Sequence, residues 1–191
     1  MKTIWCLRHG DNVLHPDWRQ FGVWQSDSPL SEAGRATIAR VRTTYFQGER
    51  FAALFTSPFR RTVETANIAV PDGKWDVLST LAPRLPQVLD TLMASVEGEP
   101  LTSCEAIEER WPGLLQVEAE WMLQSIHKAL DTLQDGEQAL LVGHQPLLGL
   151  VRGTLDRRFP LFEQTLPKGG IYRFKFTDLT HVEVEYLPPP E

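Results

Sequence analysis

Two short apolar runs constrain the fold of this chain more than any other feature. Thr3–Leu7 and Gln138–Val142 are rich in aliphatic and β-forming residues, and both end abruptly. Apolar runs this short predict buried strands rather than helices. Arg8-His9-Gly10 follows the first run directly and Gly143-His144 follows the second. Each predicted strand therefore delivers a histidine to its carboxyl end.

Helical patterns lie between the predicted strands. Ser31 resembles a helix N-cap, and apolar residues follow it at helical spacing, at Ala33, Ile38, Val41 and Tyr45. Ser57-Pro58 predicts another helix start, with proline at the first helical position. The remaining predicted helices cover Val117–Leu133 and Pro146–Val151. Further strands are predicted at Phe51–Thr56, Trp75–Leu78, Ile171–Phe176 and Val182–Leu187.

The alternation of strands and helices predicts an α/β fold. We expect a three-layer α/β/α sandwich with a mostly parallel central sheet, because connections through helices make neighbouring strands parallel. The last two predicted strands, near the end of the chain, alternate like an antiparallel pair at the sheet edge. A chain of 191 residues suits a single domain over residues 1–191.

Composition and charge exclude several classes of protein. The net charge is −6, which argues against a nucleic-acid-binding face. No apolar run approaches the ~20 residues of a membrane span, and the apolar part of the N-terminus is too short for a signal peptide. Cys6 and Cys104 fit neither a disulfide framework nor a zinc site. We therefore expect a cytoplasmic protein, and the composition leaves its oligomeric state open.

A pair of arginines at a predicted helix start indicates an anion site. Arg60 and Arg61 follow Ser57-Pro58, where the helix dipole disfavours cations by about 0.3–1 kcal/mol each. A bound phosphate would reverse that effect, because it would accept from both the helix amides and a guanidinium. Ligands of open α/β sheets bind at the carboxyl ends of the strands, where His9 and His144 are also expected.

Four segments resemble the histidine phosphatase superfamily, in the branch that includes the phosphoglycerate mutases. They occur in the family's order, and the resemblance extends over most of the chain. LRHG resembles the family's nucleophile signature, and DSPLSEAGR resembles the D-x-P-L-[ST]-x-x-G segment before its first helix. SPFRRTVETA resembles its S-P-x-x-R-A-x-Q-T-A helix, and LLVGHQPLL resembles its second-histidine segment.

This resemblance implies roles for particular residues. His9 matches the phosphorylated histidine, and Arg8, Arg61 and His144 match the residues that hold the phosphoryl oxygens, whereas Arg60 falls at a variable position. Gly10, Asn12 and Ser57 are the candidate substrate-binding residues. His15 stands where many members have a phosphate-binding asparagine, which is a departure from the pattern. The resemblance implies no metal and no other cofactor.

The proton donor of the family is less well marked here. The family carries a Glu or Asp after the third strand, often before a W-E-G-L-T-like stretch, and Glu97-Gly98 gives a faint version of that stretch. Aligning on it places Asp90 at the donor position. Glu97 and Glu105 are the alternatives, in that order.

The sequence thus predicts a metal-independent phosphomonoester hydrolase that acts on a small phosphorylated metabolite through a phosphohistidine on His9. Mutases of this branch are usually longer, which favours a phosphatase over phosphoglycerate-mutase-type transfer. A non-catalytic phospholigand-binding domain of the same fold is the third alternative. Sugar phosphates, other small phosphorylated molecules and a phosphorylated protein side chain all remain candidate substrates. No G-x-S-x-G elbow or P-loop points to another chemistry.

Overall fold

The structure is a computed structural model that describes residues 1–13, 27–84, 109, 112–145, 147–155, 166–178 and 181–191. Its strands are β1 (Lys2–Arg8), β2 (Ala53–Thr56), β3 (Asp76–Val77), β4 (Gln138–Gly143), β5 (Ile171–Phe176) and β6 (Val182–Leu187). Its helices are α1 (Glu32–Val41), α2 (Arg60–Ala69), α3 (Leu114–Thr132) and α4 (Leu147–Leu155). A π-helical turn, Arg42–Phe46, follows α1, and a 3-10 turn, Ser79–Leu81, follows β3. Within these ranges, no helix combines the length and apolar character needed to cross a membrane.

The six strands form one sheet in the order β3-β2-β4-β1-β5-β6. Pairing is parallel between β3 and β2, between β2 and β4, and between β4 and β1. The last two strands of the chain, β5 and β6, join antiparallel at one edge. This confirms the predicted class: a mostly parallel sheet with an antiparallel edge and flanking helices.

Successive residues of β1 are buried on opposite faces of the sheet, which explains its uninterrupted apolar run. Ile4 and Cys6 belong to a core that includes residues of α3 and α4. Trp5 and Leu7 belong to a second core, formed with residues of α1 and α2. A strand covered by helices on both faces has no position that favours a polar side chain, so its sequence reads as continuously apolar.

The register of the two central strands decides where the histidines lie. Arg8 pairs with Gly143 at the carboxyl ends of β1 and β4. The next residue of each chain segment is a histidine, and the His9 amide donates to the Gly143 carbonyl oxygen at 3.1 Å. Pairing of the two apolar runs therefore brings His9 and His144 together at one sheet edge.

Two local predictions were wrong. Helix α2 begins at Arg60 rather than at Pro58, and its N-cap is Phe59, which makes no side-chain capping bond. The Ser57 hydroxyl instead contacts His144 and Thr62, so it is used for a tertiary contact. In α1, where Ser31 is the N-cap as predicted, Ala33 is exposed; Gly34, Ile38 and Val41 are its buried residues.

Candidate active site

Two buried histidines form the centre of the candidate site. The ring centroids of His9 and His144 are 5.2 Å apart, with the ring planes inclined at 60°. His9 is 6% exposed and His144 is fully buried. Nδ1 of His9 lies 2.7 Å from the Gly10 carbonyl oxygen. Because a carbonyl can only accept, Nδ1 carries the proton, and Nε2 of the neutral ring keeps its lone pair.

Hydroxyl groups at the start of the α2 segment hold the second histidine. Nε2 of His144 is 2.7 Å from the Ser57 hydroxyl, which is in turn 2.7 Å from the Thr62 hydroxyl. All three residues are buried. A buried and bonded imidazole loses rotational freedom, so this network fixes the ring plane of His144 beside His9. The contacts seen for Ser57 are thus with protein groups, and direct contact with substrate stays a prediction.

Arg61 adds a buried positive charge to the site. Its side chain is only 1% exposed, and its guanidinium carbon lies 4.6 Å from the centre of the Phe59 ring. The edge of the same ring packs against His144, with centroids 5.2 Å apart. Phe59 therefore packs against both Arg61 and His144, and cation–π attraction helps to hold the guanidinium.

Arg8 is a second arginine that acts on His9. Its NH1 group donates to the Leu166 carbonyl oxygen at 2.5 Å, while its Nε has no partner among the described residues. Burial lowers the pKa of Arg8 to about 10, which leaves it charged at neutral pH. Arg8 and Arg61 are thus both close enough to act electrostatically on His9.

Arg60 does not share this environment. Its side chain is 58% exposed and pairs with Glu64 one turn along α2, at 2.9 Å. Its backbone amide donates to the carboxylate of Asp27, which supplies an anion at the helix start. The sequence argument that the charge of Arg60 requires a bound ligand was therefore wrong, because side chains of the protein itself compensate this charge.

The loop after His9 is held between α1 and α2. The Gly10 amide donates to the Thr65 hydroxyl at 3.1 Å, and that hydroxyl donates to the Arg61 carbonyl oxygen at 2.7 Å. A Cβ on Gly10 would lie 2.9 Å from the Gly34 carbonyl oxygen, so only glycine fits without movement. The backbone of Gly10 is thus anchored by the two helices whose motifs flank it.

Burial dominates the electrostatics of both histidines. For His9, burial and then the positive charge of Arg61 lower the pKa to about 3, with Arg8 and Lys168 adding smaller effects. For His144, burial and then Arg61 hold the pKa well below its usual value. Both rings are therefore neutral at physiological pH. A neutral imidazole beside fixed cations can attack an electrophile that carries negative charge, such as a phosphoryl group.

The remaining predicted residues are Asn12, which the structure describes, and four residues that lie outside the described ranges. Asn12 is half-buried and forms a β-bridge with Leu30. Asp90, Glu97 and Glu105, the candidate proton donors, lie outside the described residues, as does His15. Within the described part of the chain, no three His, Cys, Asp or Glu side chains lie close enough to share a metal ion.

Sequence reasoning missed three residues of the site. Phe59 and Thr65 belong to the SPFRRTVETA segment, but nothing in their spacing shows that one packs on Arg61 and the other holds Gly10. Lys168 reaches the site from the turn before β5, where its ammonium pairs with Asp11. Pro167-Lys168-Gly169-Gly170 is recognisable as a turn from sequence, yet its proximity to His9 is a tertiary fact.

Comparison with known proteins identifies a family for this chain. The family model described as Histidine phosphatase superfamily (branch 1) matches residues 4–178. A comparison with curated protein sequences gave no significant match.

Several solved structures share the fold. Phosphoglycerate mutase from Bacillus anthracis str. Sterne superposes with a TM-score of 0.73 at 20% identity, covering 97% of this chain and 92% of that one. YhfR from Bacillus stearothermophilus gives 0.72 at 23% identity, covering 97% and 96%. Phosphoserine phosphatase from Entamoeba histolytica, in complex with 3-phosphoglyceric acid, gives 0.71 at 16% identity, covering 97% and 96%. With a family model that spans nearly its whole length, this chain belongs to branch 1 of the histidine phosphatase superfamily.

Proposed function

We propose that this chain is a metal-independent phosphomonoester hydrolase that forms a phosphohistidine on Nε2 of His9. The observation that carries the proposal is the protonation and burial of the His9 side chain. Its Nδ1 proton is bonded to the Gly10 carbonyl oxygen, and its ring is neutral and buried next to Arg61. A nucleophile needs an available lone pair and a defined direction, and the Gly10 bond supplies both for Nε2.

The surrounding cations are suited to a phosphate ester. A phosphomonoester brings two negative charges near neutral pH, and Arg8 and Arg61 provide two fixed positive charges to receive them. In the transition state the guanidinium groups stabilise charge on the transferring phosphoryl oxygens, without reorganising, because they are already held by Leu166 and Phe59. His144 lies beside His9 and is held by Ser57.

The leaving alkoxide needs a proton, for which we propose Asp90, with Glu97 and then Glu105 as alternatives. The P–O bond to the leaving group breaks as the bond from phosphorus to His9 Nε2 forms, and the acid's proton goes to the alkoxide oxygen. The resulting carboxylate then takes a proton from water, whose oxygen attacks the phosphohistidine. This step releases phosphate and restores neutral His9.

The same pocket would also serve phosphoryl transfer to a second substrate. Some structures that share this fold are named as phosphatases and at least one as a phosphoglycerate mutase. Chain length does not separate the two, because the match covers 92% of the mutase chain. We favour hydrolysis of a small phosphorylated molecule, and a complex such as that of the E. histolytica protein with 3-phosphoglyceric acid supports substrates of that size.

Trapping the phosphoenzyme tests the proposal. The purified protein is mixed with a panel of radiolabelled phosphomonoesters and quenched in alkali, where phosphohistidine survives, and the labelled peptide is identified. We expect label on His9, none in His9→Ala, and unfolding of His9→Ala within a few degrees of wild type. Turnover by purified His9→Ala would refute the assignment.

Two further measurements separate the alternatives. Adding alcohol acceptors reports how the phosphoryl group divides between water and a second substrate, so predominant transfer would indicate a mutase. Binding of vanadate without any label or turnover would indicate a non-catalytic domain.

Activity should also survive EDTA, because the arginines supply the positive charge. Loss of activity on chelation and its recovery with a divalent ion would contradict the proposed chemistry.

A further inference from the structure

Lys168 stands at the apex of a turn that is fixed against the nucleophile loop. The Gly170 amide donates to the Pro167 carbonyl oxygen at 2.8 Å, and Gly169 has a φ of +78°, as in a type II turn. The Gly169 amide lies 3.2 Å from the Arg8 carbonyl oxygen and 3.3 Å from that of His9. The backbone that carries Lys168 is therefore locked beside His9.

The ammonium of Lys168 lies at the rim of the candidate site rather than inside it. Its side chain is 37% exposed, whereas the exposed fractions of His9, Arg61 and His144 are all at or below 6%. Its positive charge is nevertheless close enough to disfavour protonation of His9. Because Arg61 and His144 beside His9 are buried, the leaving group of an ester attacked by His9 would extend toward the more exposed side of the site, where Lys168 lies.

Asp11 neutralises this ammonium in the structure. The two side chains form an ion pair, and the other carboxylate oxygen of Asp11 accepts from the Ser31 hydroxyl at 2.9 Å. Partly exposed pairs of this kind contribute only about 0–1 kcal/mol. Lys168 can therefore exchange Asp11 for another anion at little cost, and Asp11 keeps the bond from Ser31.

The position and the pairing of Lys168 set it apart from Arg61. Lys168 is a further cation near His9, it is more exposed than Arg61, and its present counter-ion is the carboxylate of Asp11. We propose that Lys168 binds a second anionic group, a carboxylate or a phosphate, on the leaving-group side of the substrate. This inference rests on the proposed function and specifies the substrate class: phosphate esters with a second negative charge.

Three small esters of matched size test the inference. Besides the phosphoryl group to be transferred, phosphoglycolate carries a carboxylate, ethylene glycol bisphosphate carries a second phosphate, and 2-hydroxyethyl phosphate carries neither. For Lys168→Met we expect kcat/KM to fall about tenfold more on at least one charged ester than on the neutral ester, mostly through KM. The ester that shows the selective loss identifies the anion.

Lys74→Met is the matched control, because Lys74 is an exposed lysine just before β3. It removes the same charge from the protein, and its ratio of charged to neutral ester should equal that of wild type. Asp11→Asn should have the opposite effect to Lys168→Met, because it frees the ammonium and should lower KM for the charged esters.

Two results would overturn the inference. An equal loss on all three esters would mean that Lys168 contacts the transferring phosphoryl group, and no loss on any would mean that the pair with Asp11 is only structural. Calorimetric binding of the three esters to His9→Ala, with and without Lys168→Met, does not need turnover. If wild type hydrolyses none of the three esters, these binding ratios decide the role of Lys168, whereas the proposed function is decided separately by trapping the phosphoenzyme.

Discussion

Gly34 touches the backbone of Asp11 so closely that a Cβ on Gly34 would lie 2.0 Å from the Asp11 carbonyl oxygen. Ser31, the N-cap of the same helix, donates its hydroxyl to the Asp11 carboxylate and its amide to the Asp11 carbonyl oxygen, both at 2.9 Å. Helix α1 thus holds the loop that follows His9 by its first turn. This contact explains the serine and the glycine of the D-x-P-L-S-x-x-G pattern.

Gly34→Ala should destabilise the protein by about 1–3 kcal/mol, because backbone rather than a movable side chain blocks the new methyl group. It should also lower kcat/KM by displacing the loop after His9. Urea unfolding measures the first effect. Gly149→Ala in α4 is the control: its Cβ would meet the end of the Gln145 side chain, which can move. Equal stability of Gly34→Ala and wild type would show that the loop is not held this way.

Burial of neutral His9 predicts a dependence of stability on pH. Its pKa is lowered to about 3 in the folded protein, so between that value and about 6.5 the unfolded state binds more protons and stability rises with pH. From pH 7 to pH 5, the contribution of His9 should fall by about 2 kcal/mol.

Urea unfolding of His9→Gln at both pH values should therefore show a loss of stability on acidification that is smaller than in wild type by about that amount. His127→Gln, which removes an exposed histidine from α3, measures the effect of losing any imidazole. If the two variants show the same pH dependence, His9 is not held neutral by burial.

The adjacent arginines of α2 offer a matched pair. Arg61→Gln should lower kcat/KM by about 10²–10³-fold, because it removes a fixed donor and charge from the transition state. Arg60→Gln removes an exposed charge already paired with Glu64, and its effect should stay below about threefold. Vanadate affinity should follow the same order, and melting temperatures check that both variants are folded. A larger loss in Arg60→Gln would invert the assignment.

Asp90→Asn should slow phosphorylation of His9 by sugar phosphates about 10²–10⁴-fold, since their alkoxides leave poorly without a proton. A nitrophenyl phosphate should lose much less, because its leaving group needs no proton. Phosphoenzyme formation has to be measured, since the same acid assists the water step. Glu97→Gln and Glu105→Gln are assayed in parallel, and a selective loss in one of them instead would move the donor to that residue.

Local sequence was sufficient to predict most of the secondary structure. The bounds of β5 and β6 were predicted correctly from their periodicity. The start of α2 was not, because a Ser-Pro pair is a common capping signal and only the position of His144 shows that the Ser57 hydroxyl is used elsewhere. Capping depends on which partner a hydroxyl finds, and that partner can be distant in the chain.

The sequence by itself determined which strands carry the histidines, since continuous apolar runs can be buried only at the centre of a sheet covered on both faces. It also identified the family, because each motif is a short stretch of consecutive residues. The motif distinguished Arg61 from Arg60, and the pair of Arg60 with Glu64 is a contact four residues apart within one helix. Only the tertiary structure decided that Phe59 packs against His144, and that Lys168 reaches Asp11 from a turn 157 residues away along the chain. These contacts join distant parts of the chain, so they depend on how the elements pack rather than on neighbouring residues.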